Sequence, residues 1–220
     1  MSETGPIEVT NVGHEVLRRL RRMITSGRLQ PGSVVTLRSI GEELGVSTTP
    51  VREALRVLQA EGLIKYDRRS VTVAQLSSDD VRELFAIRLR LEQLAAEWAI
   101  DRLTAADVAD IEEILGQLDD AVESPERWRV LNQDFHRRFY DCAQSPRLLD
   151  YIARIWDSVE PYMAIYSSSM EAFHGANAEH RRMFEAIRDR DLETLLVLTT
   201  QHLDSTAELV IRELDRAAGR

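Results

Sequence analysis

The sequence predicts a mainly α-helical protein in which an N-terminal winged helix-turn-helix precedes an all-helical bundle of six or seven helices. Three observations lead to this fold class. Helix, turn and helix signals follow one another closely over residues 37–61, two short β-prone runs come next, and beyond residue 76 the apolar periodicity is helical throughout. We expect a disordered N-terminus at residues 1–8, the winged helix-turn-helix at 9–76 and the bundle at 77–220.

The first domain carries clear start and stop signals for its elements. Gly45 suits the left-handed conformation that ends a helix, and Pro50 suits the first position of the next one, where its missing N–H is harmless. The stretch Asp67-Arg-Arg-Ser70 separates the two β-prone runs and would form the tip of a two-stranded wing. The predicted elements are helices at about 10–26, 37–44 and 50–61 and strands at 63–66 and 71–74.

The second domain is expected to contain only helices. Thr104, Ser124 and Ser145 each place a capping residue at the start of an apolar period, and a proline follows each of the two serines. The segment 159–172 is less regular but compatible with a seventh helix. The other predicted helices run at about 79–101, 105–121, 125–143, 146–158, 177–189 and 191–217.

Charge is divided unevenly between the two domains. The whole chain has a net charge of −9, which by itself argues against a nucleic-acid partner. Residues 1–76, however, hold 11 Arg and Lys against 8 Asp and Glu, a net charge of +3, whereas residues 77–220 hold 17 against 29, a net charge of −12. A basic domain joined to an acidic one indicates two different partners, with DNA the natural partner of the first.

Several classes of protein are excluded by what the sequence lacks. No apolar run approaches the ~20 residues of a membrane span, and the N-terminus has no signal-peptide segment, so we expect a cytoplasmic chain without a membrane partner. The single cysteine, Cys142, excludes an intramolecular disulfide and is interpreted as a small buried hydrophobe. The common nucleophile and phosphate-binding motifs are also missing, so we do not expect an enzyme.

The helix predicted at 50–61 has two distinct faces. Arg52 and Arg56 lie one turn apart on one face, and an apolar stripe occupies the other. The members of that stripe are Val51, Ala54, Leu55 and Leu58. Such a helix suits the major groove, where arginine can bind guanine O6 and N7 in bidentate fashion. A solvated arginine face is the alternative, but the order of elements, the turn residues and the local positive charge favour DNA.

Further residues around this helix are candidates for contacts with the DNA backbone. Hydroxyl side chains stand at its N-terminus, where backbone N–H groups favour phosphate. An arginine begins the preceding helix, and two more form the wing tip, a usual place for phosphate or minor-groove contact. These candidates are Arg38, Ser47, Thr48, Thr49, Arg68 and Arg69.

Three of the five histidines fall on predicted inward faces of the helical domain. Asn132 and His136 stand at i and i+4, so their side chains share one face of a helix. His180 and His202 lie on two other helices. Three imidazoles and one amide oxygen that converge inside a bundle could hold a divalent metal ion. From the residues alone, histidines that fill polar core positions are the commoner arrangement.

Both halves of the chain resemble one family of bacterial transcription regulators, the GntR family. The stretch RSIGEELGVSTTPVREALRVLQAEGLI, residues 38–64, is similar to the family's N-terminal motif almost residue for residue. The second half resembles the FadR-type, all-helical FCD ligand-binding domain. That resemblance rests on DVRELFAIRLRLE at 80–92, NQDFH at 132–136, Glu179-His180 and Gln201-His-Leu203.

The resemblance implies a homodimer that binds a palindromic double-stranded operator and usually represses. A small organic acid, commonly a carboxylate or sugar acid, would release the DNA. Many FCD domains hold a divalent metal through one Asp or Asn and three His, which correspond here to Asn132, His136, His180 and His202. Zinc is expected first, with nickel, cobalt or manganese as alternatives. Arg88 matches a family arginine near the pocket and could pair an effector carboxylate, unless it is a surface helix arginine.

The sequence departs from the family pattern at two places, and two alternative functions remain open. Asn132 is a neutral donor at a position that is usually acidic, so a lower metal affinity is expected, and the wing lacks the usual Arg-Gly turn. One alternative is a metal-free regulator with a purely organic effector pocket. The other is a metal-dependent enzyme with an accessory DNA-binding domain, which would need a general base that the sequence does not offer.

Overall fold

The computed structural model describes residues 10–66, 70–166 and 170–217. The chain divides into two compact units, residues 1–75 and residues 76–220. The first unit contains α1 (Thr10–Thr25), β1 (Val34–Val35), α2 (Leu37–Leu44), α3 (Thr48–Ala60), β2 (Ile64–Tyr66) and β3 (Val71–Val73). The second contains α4 (Ser78–Ile100), α5 (Ala105–Asp120), α6 (Pro125–Asp141), α7 (Pro146–Tyr166), α8 (Met170–Arg188) and α9 (Leu192–Ala217). The predicted fold class is confirmed.

The small sheet of the first unit has one strand more than the sequence predicted. Its order is β1-β3-β2, and both pairings are antiparallel. The prediction of a two-stranded wing was therefore wrong, because β1 spans only Val34 and Val35 and two residues show no alternation that a pattern could reveal. The core of this unit is formed mainly by α1, α3 and the strands, with Leu20, Val51 and Leu58 each at most 1% exposed.

Helix α3 also begins earlier than predicted. It starts at Thr48, so Pro50 is the third helical residue rather than the first. Pro50 is still within the first turn, where backbone N–H groups have no partner inside the helix, and the proline therefore costs no hydrogen bond.

Helix α7 is longer than predicted and passes through Pro161. The sequence predicted an end near residue 158 and a separate segment at 159–172, but residues 159–166 continue α7 and α8 already starts at Met170. Val159 and Tyr162 are each 2% exposed and pack in a cluster with Val81. Burial of this apolar stripe explains why the helix tolerates an internal proline that removes one backbone hydrogen bond.

The second unit is held at its N-terminal end by two contacts. The backbone amide of Leu76 donates to the phenol oxygen of Tyr162 on α7 at 2.6 Å. The hydroxyl of Ser78 donates to Asp215 on α9 at 2.5 Å. These bonds tie the first residues after the first unit to two helices of the bundle. No helix in the described ranges combines the length and the apolar character needed to cross a membrane.

Candidate functional site

Two glycines, Gly41 in α2 and Gly45 at its end, allow a compact turn between α2 and α3. Gly45 ends α2 at φ 69°, a left-handed conformation in which a residue without Cβ is unstrained. A Cβ at Gly41 would lie 2.9 Å from the carbonyl oxygen of Val46, which is backbone and cannot move aside cheaply. The two glycines therefore allow α2 and α3 to approach as a helix-turn-helix requires.

Helix α3 presents the two faces that its sequence predicted. Its apolar stripe is buried, and Arg52 and Arg56 are exposed on the opposite face. Several arginines elsewhere in this unit pair with a carboxylate, among them Arg19 with Glu15 and Arg28 with Glu43. Within the described residues neither Arg52 nor Arg56 has an ion pair. Their guanidinium groups are thus available to an anionic or hydrogen-bonding partner.

The start of α3 adds uncommitted polar groups to the same region. Ser47 is the N-cap residue, but its side chain makes no capping hydrogen bond. Thr48 and Thr49 are exposed beside it. A helix N-terminus with unused N–H groups and hydroxyls favours phosphate.

The remaining candidates for DNA contact differ in what the structure says of them. The side chain of Arg38 on α2 is 86% exposed, and among the described residues it bonds its helix neighbour Glu42 at 2.8 Å. An exposed pair of this kind is weak enough to exchange for a phosphate. Arg68 and Arg69 lie outside the described residues.

The histidines predicted to converge do so in the second unit. His136 comes from α6, His180 from α8 and His202 from α9, and they are 3%, 0% and 7% exposed. One ligand atom of each lies within 4.8 Å of those of the other two. The closest pair of rings, His180 and His202, has centroids 4.8 Å apart. Three buried imidazoles at this spacing can face a single cation.

The polar atoms in this cluster fit a metal ion. Nε2 of His136, both ring nitrogens of His180 and Oδ1 of Asn132 are buried without a hydrogen-bond partner in the described structure. Native proteins rarely leave such atoms unpaired. His202 is different, because its Nδ1 lies 2.6 Å from Oε2 of Glu179. A carboxylate on one nitrogen fixes the ring and leaves the other nitrogen for a metal.

The electrostatics of the cluster also favour metal binding. Burial lowers the pKa of His136 and His180 well below the usual range, and their electrostatic interaction with neighbouring histidine rings lowers it further. Both rings are therefore neutral near pH 7, and the neutral imidazole is the form that donates a lone pair to a metal.

A cavity of about 190 Å³ opens beside the histidines. Its wall is formed by α4 and α6–α9 and combines polar groups with apolar side chains such as Trp128, Val159 and Met163. Asn132, His136 and His202 reach it from the histidine cluster. The volume is below the 300–1,000 Å³ typical of sites for drug-sized ligands, so it suits a small molecule.

Arg88 lies in the cavity wall and not on the surface. It is 8% exposed, which rules out the surface helix arginine that the sequence left open. Its Nε donates to Oε1 of Glu92 at 2.5 Å. The same carboxylate, 1% exposed, accepts from Trp156 at 2.7 Å and from Tyr140 at 2.8 Å. The hydrogen bond to Glu92 thus fixes the orientation of the Arg88 guanidinium and, with it, the direction of its two Nη groups.

A second polar group in the wall joins α6 and α7. Nε2 of Gln133 donates to Oε2 of Glu160 at 2.9 Å, and Nε of Arg129 lies 3.5 Å from Oε1. Burial raises the pKa of Glu160 to about 7, although Gln133 and Arg129 act in the opposite direction. The wall of this cavity therefore contains a partly buried carboxylate beside an arginine.

Sequence reasoning missed three carboxylates of this site. Glu92 could have been suspected because it stands four residues after Arg88, and Glu179 because it precedes His180. Glu160 carried no local signal, because only the packing of α7 against α6 brings it to the cavity.

Known proteins match both units. Residues 13–73 match the bacterial regulatory proteins of the gntR family, and residues 83–205 match the FCD domain. The chain belongs to the GntR family and carries an FCD domain. This regulator is therefore a DNA-binding transcription factor and not an enzyme, as the sequence predicted. Membership of the FadR subfamily stays a prediction.

Relatives and solved structures agree with this assignment. The HTH-type transcriptional regulator McbR of Escherichia coli K12 is 29% identical over 164 residues, 73% of this chain and 74% of McbR. The gluconate operon transcriptional repressor of Bacillus subtilis strain 168 is 26% identical over 211 residues, 91% of this chain and 85% of that repressor. The solved structure of E. coli McbR/YncC has a TM-score of 0.83 at 22% identity and covers 93% of this chain and 99% of its own. At that identity the structure shows a shared fold.

Proposed function

We propose that this GntR-family regulator is a homodimeric repressor that a small organic acid releases from a palindromic operator. The acid would bind in the cavity of the second unit, at or near a divalent metal held by Asn132 and three histidines. Helix α3 would read the operator in the major groove through Arg52 and Arg56, with Ser47, Thr48 and Thr49 on phosphate. The names of the relatives support a repressor, since one of them is the gluconate operon repressor.

One observation carries the ligand-binding half of this proposal. Unpaired buried atoms of Asn132, His136 and His180 lie beside the cavity that Arg88 lines. A divalent metal bound there would supply a Lewis-acidic centre for a carboxylate oxygen. Arg88, anchored by Glu92, would orient the same carboxylate by a charge-assisted hydrogen bond. Zinc is the first candidate, and nickel, cobalt and manganese accept the same nitrogen and oxygen donors.

Release of DNA requires that the acid favour one of two arrangements of the dimer. A ligand shifts such an equilibrium only by its difference in affinity for the two arrangements. The wall of the cavity is built from five helices, so a bound acid would contact all of them and could favour one of their arrangements.

The proposal is tested first by the metal content of the full chain, purified without a histidine tag. Wild type should hold about one equivalent of metal per chain, and His180→Gln should hold less than a tenth of that. His174→Gln is the matched control, because His174 is an exposed residue on the same helix. Less than half an equivalent in wild type, unrestored by added zinc or nickel, would favour the metal-free regulator instead.

The second arm of the test concerns DNA release. A bound sequence selected from random duplexes with the wild-type chain serves as the operator, and binding is followed by fluorescence anisotropy. A panel of two- to six-carbon acids is then added, with and without EDTA. At least one acid should weaken DNA binding in wild type and in His174→Gln but not in His180→Gln. If no acid of the panel changes DNA affinity, the proposed class of effector is wrong.

A further inference from the structure

We propose that Glu160 makes the cavity selective for acids that carry a hydroxyl group on their carbon chain. The inference rests on the proposed function, because it names the class of acid that the same cavity takes. It assigns Glu160 as the residue that accepts a hydrogen bond from that hydroxyl.

The environment of Glu160 is the first support for this assignment. Its side chain is 17% exposed, and it reaches the cavity from α7 between two apolar neighbours of the wall, Val159 and Met163. An apolar side chain would fill this position without the cost of burying a carboxylate. The pKa of Glu160, raised to about 7 by burial, is a measure of that cost. A ligand donor would offset it by a hydrogen bond to the carboxylate.

The charges around Glu160 indicate which donor fits best. Arg129 lies 3.5 Å from one oxygen of Glu160, and Arg88 lines the same cavity. A ligand ammonium group would be attracted by the single carboxylate of Glu160 but repelled by two guanidinium groups, while a second ligand carboxylate would be repelled by Glu160 itself. A hydroxyl is neutral, donates to Glu160 and can also accept from Arg129 or Gln133.

The second carboxylate of the wall and two of its hydroxyl groups are already engaged. The carboxylate of Glu179 is bound to Nδ1 of His202 at 2.6 Å. The hydroxyls of Ser205 and Thr206 donate to carbonyl oxygens of their own helix, at 2.9 and 2.8 Å. Glu160 is therefore the carboxylate of the wall that is best placed to select among acids.

The position of Glu160 relative to the histidines sets the scale of the ligand. Its partner Gln133 precedes His136 by three residues on α6, a rise of ~4.5 Å along the helix. An acid whose carboxylate lies at the histidine end would have to extend its carbon chain along α6 to bring a hydroxyl to Glu160.

The test compares acids that differ in one substituent. Isothermal titration calorimetry of the full chain, supplemented with zinc, would measure the affinities of butyrate, 3-hydroxybutyrate and 3-aminobutyrate, and of succinate, malate and aspartate. Wild type should bind at least one hydroxy acid ~10-fold or more tighter than its unsubstituted partner, as expected for a hydrogen bond to a charged group. Glu160→Leu should reduce this ratio to about one while leaving the affinity for butyrate within ~3-fold, and it should also remove the repulsion between Glu160 and the second carboxylate of succinate.

Two further variants keep the test decisive. Glu160→Gln retains an acceptor without the charge and should give an intermediate ratio, which also covers the case in which Glu160→Leu does not fold. Asp150→Asn makes the same carboxylate-to-amide change at an exposed position of α7 and should keep the wild-type ratio.

The outcomes separate this inference from the function on which it rests. Binding of an acid without a preference for the hydroxyl, a stronger preference for the amine, or an unchanged preference in both Glu160 variants would each overturn the role of Glu160 alone. Failure of every acid to bind wild type would overturn both the role of Glu160 and the proposed effector class.

Discussion

The arginines of the two units stand in opposite environments. Arg52 and Arg56 on α3 are exposed, and no ion pair holds them within the described residues. Arg88 on α4 is 8% exposed and is fixed by Glu92, which also accepts from Tyr140 and Trp156. The first pair is free to adapt to a large external partner. The buried arginine is pre-oriented for a small one, because its orientation is set before any ligand arrives.

The two sites also differ in how the chain builds them. The surface of α3 comes from one continuous stretch of sequence, whereas the cavity draws its wall from five helices. A local change should therefore affect DNA binding without affecting the bundle, and a change in the buried network should do the reverse. The following predictions test this separation.

The largest effect is expected from loss of the buried carboxylate of Glu92. Glu92→Leu leaves the Arg88 charge unpaired and the donors of Tyr140 and Trp156 unsatisfied, which should lower the free energy of unfolding by ~3–5 kcal/mol. Urea denaturation followed by tryptophan fluorescence measures this, because Trp98, Trp128 and Trp156 all belong to the second unit.

The control for Glu92 lies on the same helix. Glu97 is an exposed residue of α4, and Glu97→Leu should change the free energy of unfolding by less than ~0.5 kcal/mol. Equal losses of unfolding free energy in the two variants would show that the hydrogen bonds of Glu92 do not stabilise the fold.

The next largest effect concerns DNA. Arg52→Ala and Arg56→Ala should each weaken operator binding by ~1–3 kcal/mol, or ~5- to 150-fold, if they contact bases as proposed. Arg19→Ala removes the same charge from α1 and should cost less. Anisotropy with the selected operator gives the affinities, and the fluorescence transition in urea should not move. Wild-type affinity in both α3 variants would exclude this face as the reading surface.

The third prediction concerns the cost of burial in the cavity. Because the pKa of Glu160 is raised from 4.5 to about 7 in the folded protein, the folded state holds its proton more tightly than the unfolded state. The contribution of Glu160 to the free energy of unfolding is then fully present below pH ~4.5 and is lost as the pH rises through ~7. Glu160→Gln should remove this loss, so that its stability relative to wild type improves by ~1–3 kcal/mol over that interval.

Urea titrations at several pH values check this difference. The charged groups that act on Glu160 are Arg129 of α6, Arg88 of α4 and Asp157 of its own helix, and Glu179 of α8 and His202 of α9 line the same cavity. Asp150→Asn, exposed on α7, should keep the pH dependence of wild type. If the free energy of unfolding of Glu160→Gln varied with pH in the same way as that of wild type, ionisation of Glu160 would not destabilise the folded protein.

The smallest effect separates two helix caps. The Thr104 side chain accepts from the amide of Asp107 at the start of α5, so Thr104→Ala should cost ~1 kcal/mol. The Ser47 side chain makes no such bond at α3, and Ser47→Ala should cost less than ~0.5 kcal/mol of stability. Ser47→Ala should instead weaken operator binding. Thermal unfolding followed by circular dichroism compares the stability of the two variants. A larger loss of stability for Ser47→Ala would contradict the absence of a capping hydrogen bond from Ser47.

The surface of α3 could be predicted from sequence because all its determinants are local. The spacing of Val51, Leu55 and Leu58 fixes the buried face, and this places Arg52 and Arg56 on the other. The strand at Val34–Val35 could not be predicted, because its pairing with β3 depends on residues almost forty positions away.

The cavity was predictable only in part. The positions of Asn132, His136, His180 and His202 on inward helix faces suggested a shared site, and the resemblance to a family strengthened that hypothesis. Glu160 was not foreseen, since the helix that carries it continues through Pro161 where a break was expected. Packing of an apolar stripe decided that continuation, and packing is a property of the whole unit.

The hydrogen bond between Leu76 and Tyr162 has a practical consequence for protein engineering. Its donor is a main-chain N–H at the first residue of the second unit, and its acceptor belongs to the helix that carries Glu160. A chimeric biosensor that joins a foreign DNA-binding domain at the boundary between residues 75 and 76 can therefore keep this bond with any residue at position 76 except proline, which has no N–H to donate. An apolar residue at position 76 would also keep the packing of Leu76 against the cluster that contains Val81 and Tyr162.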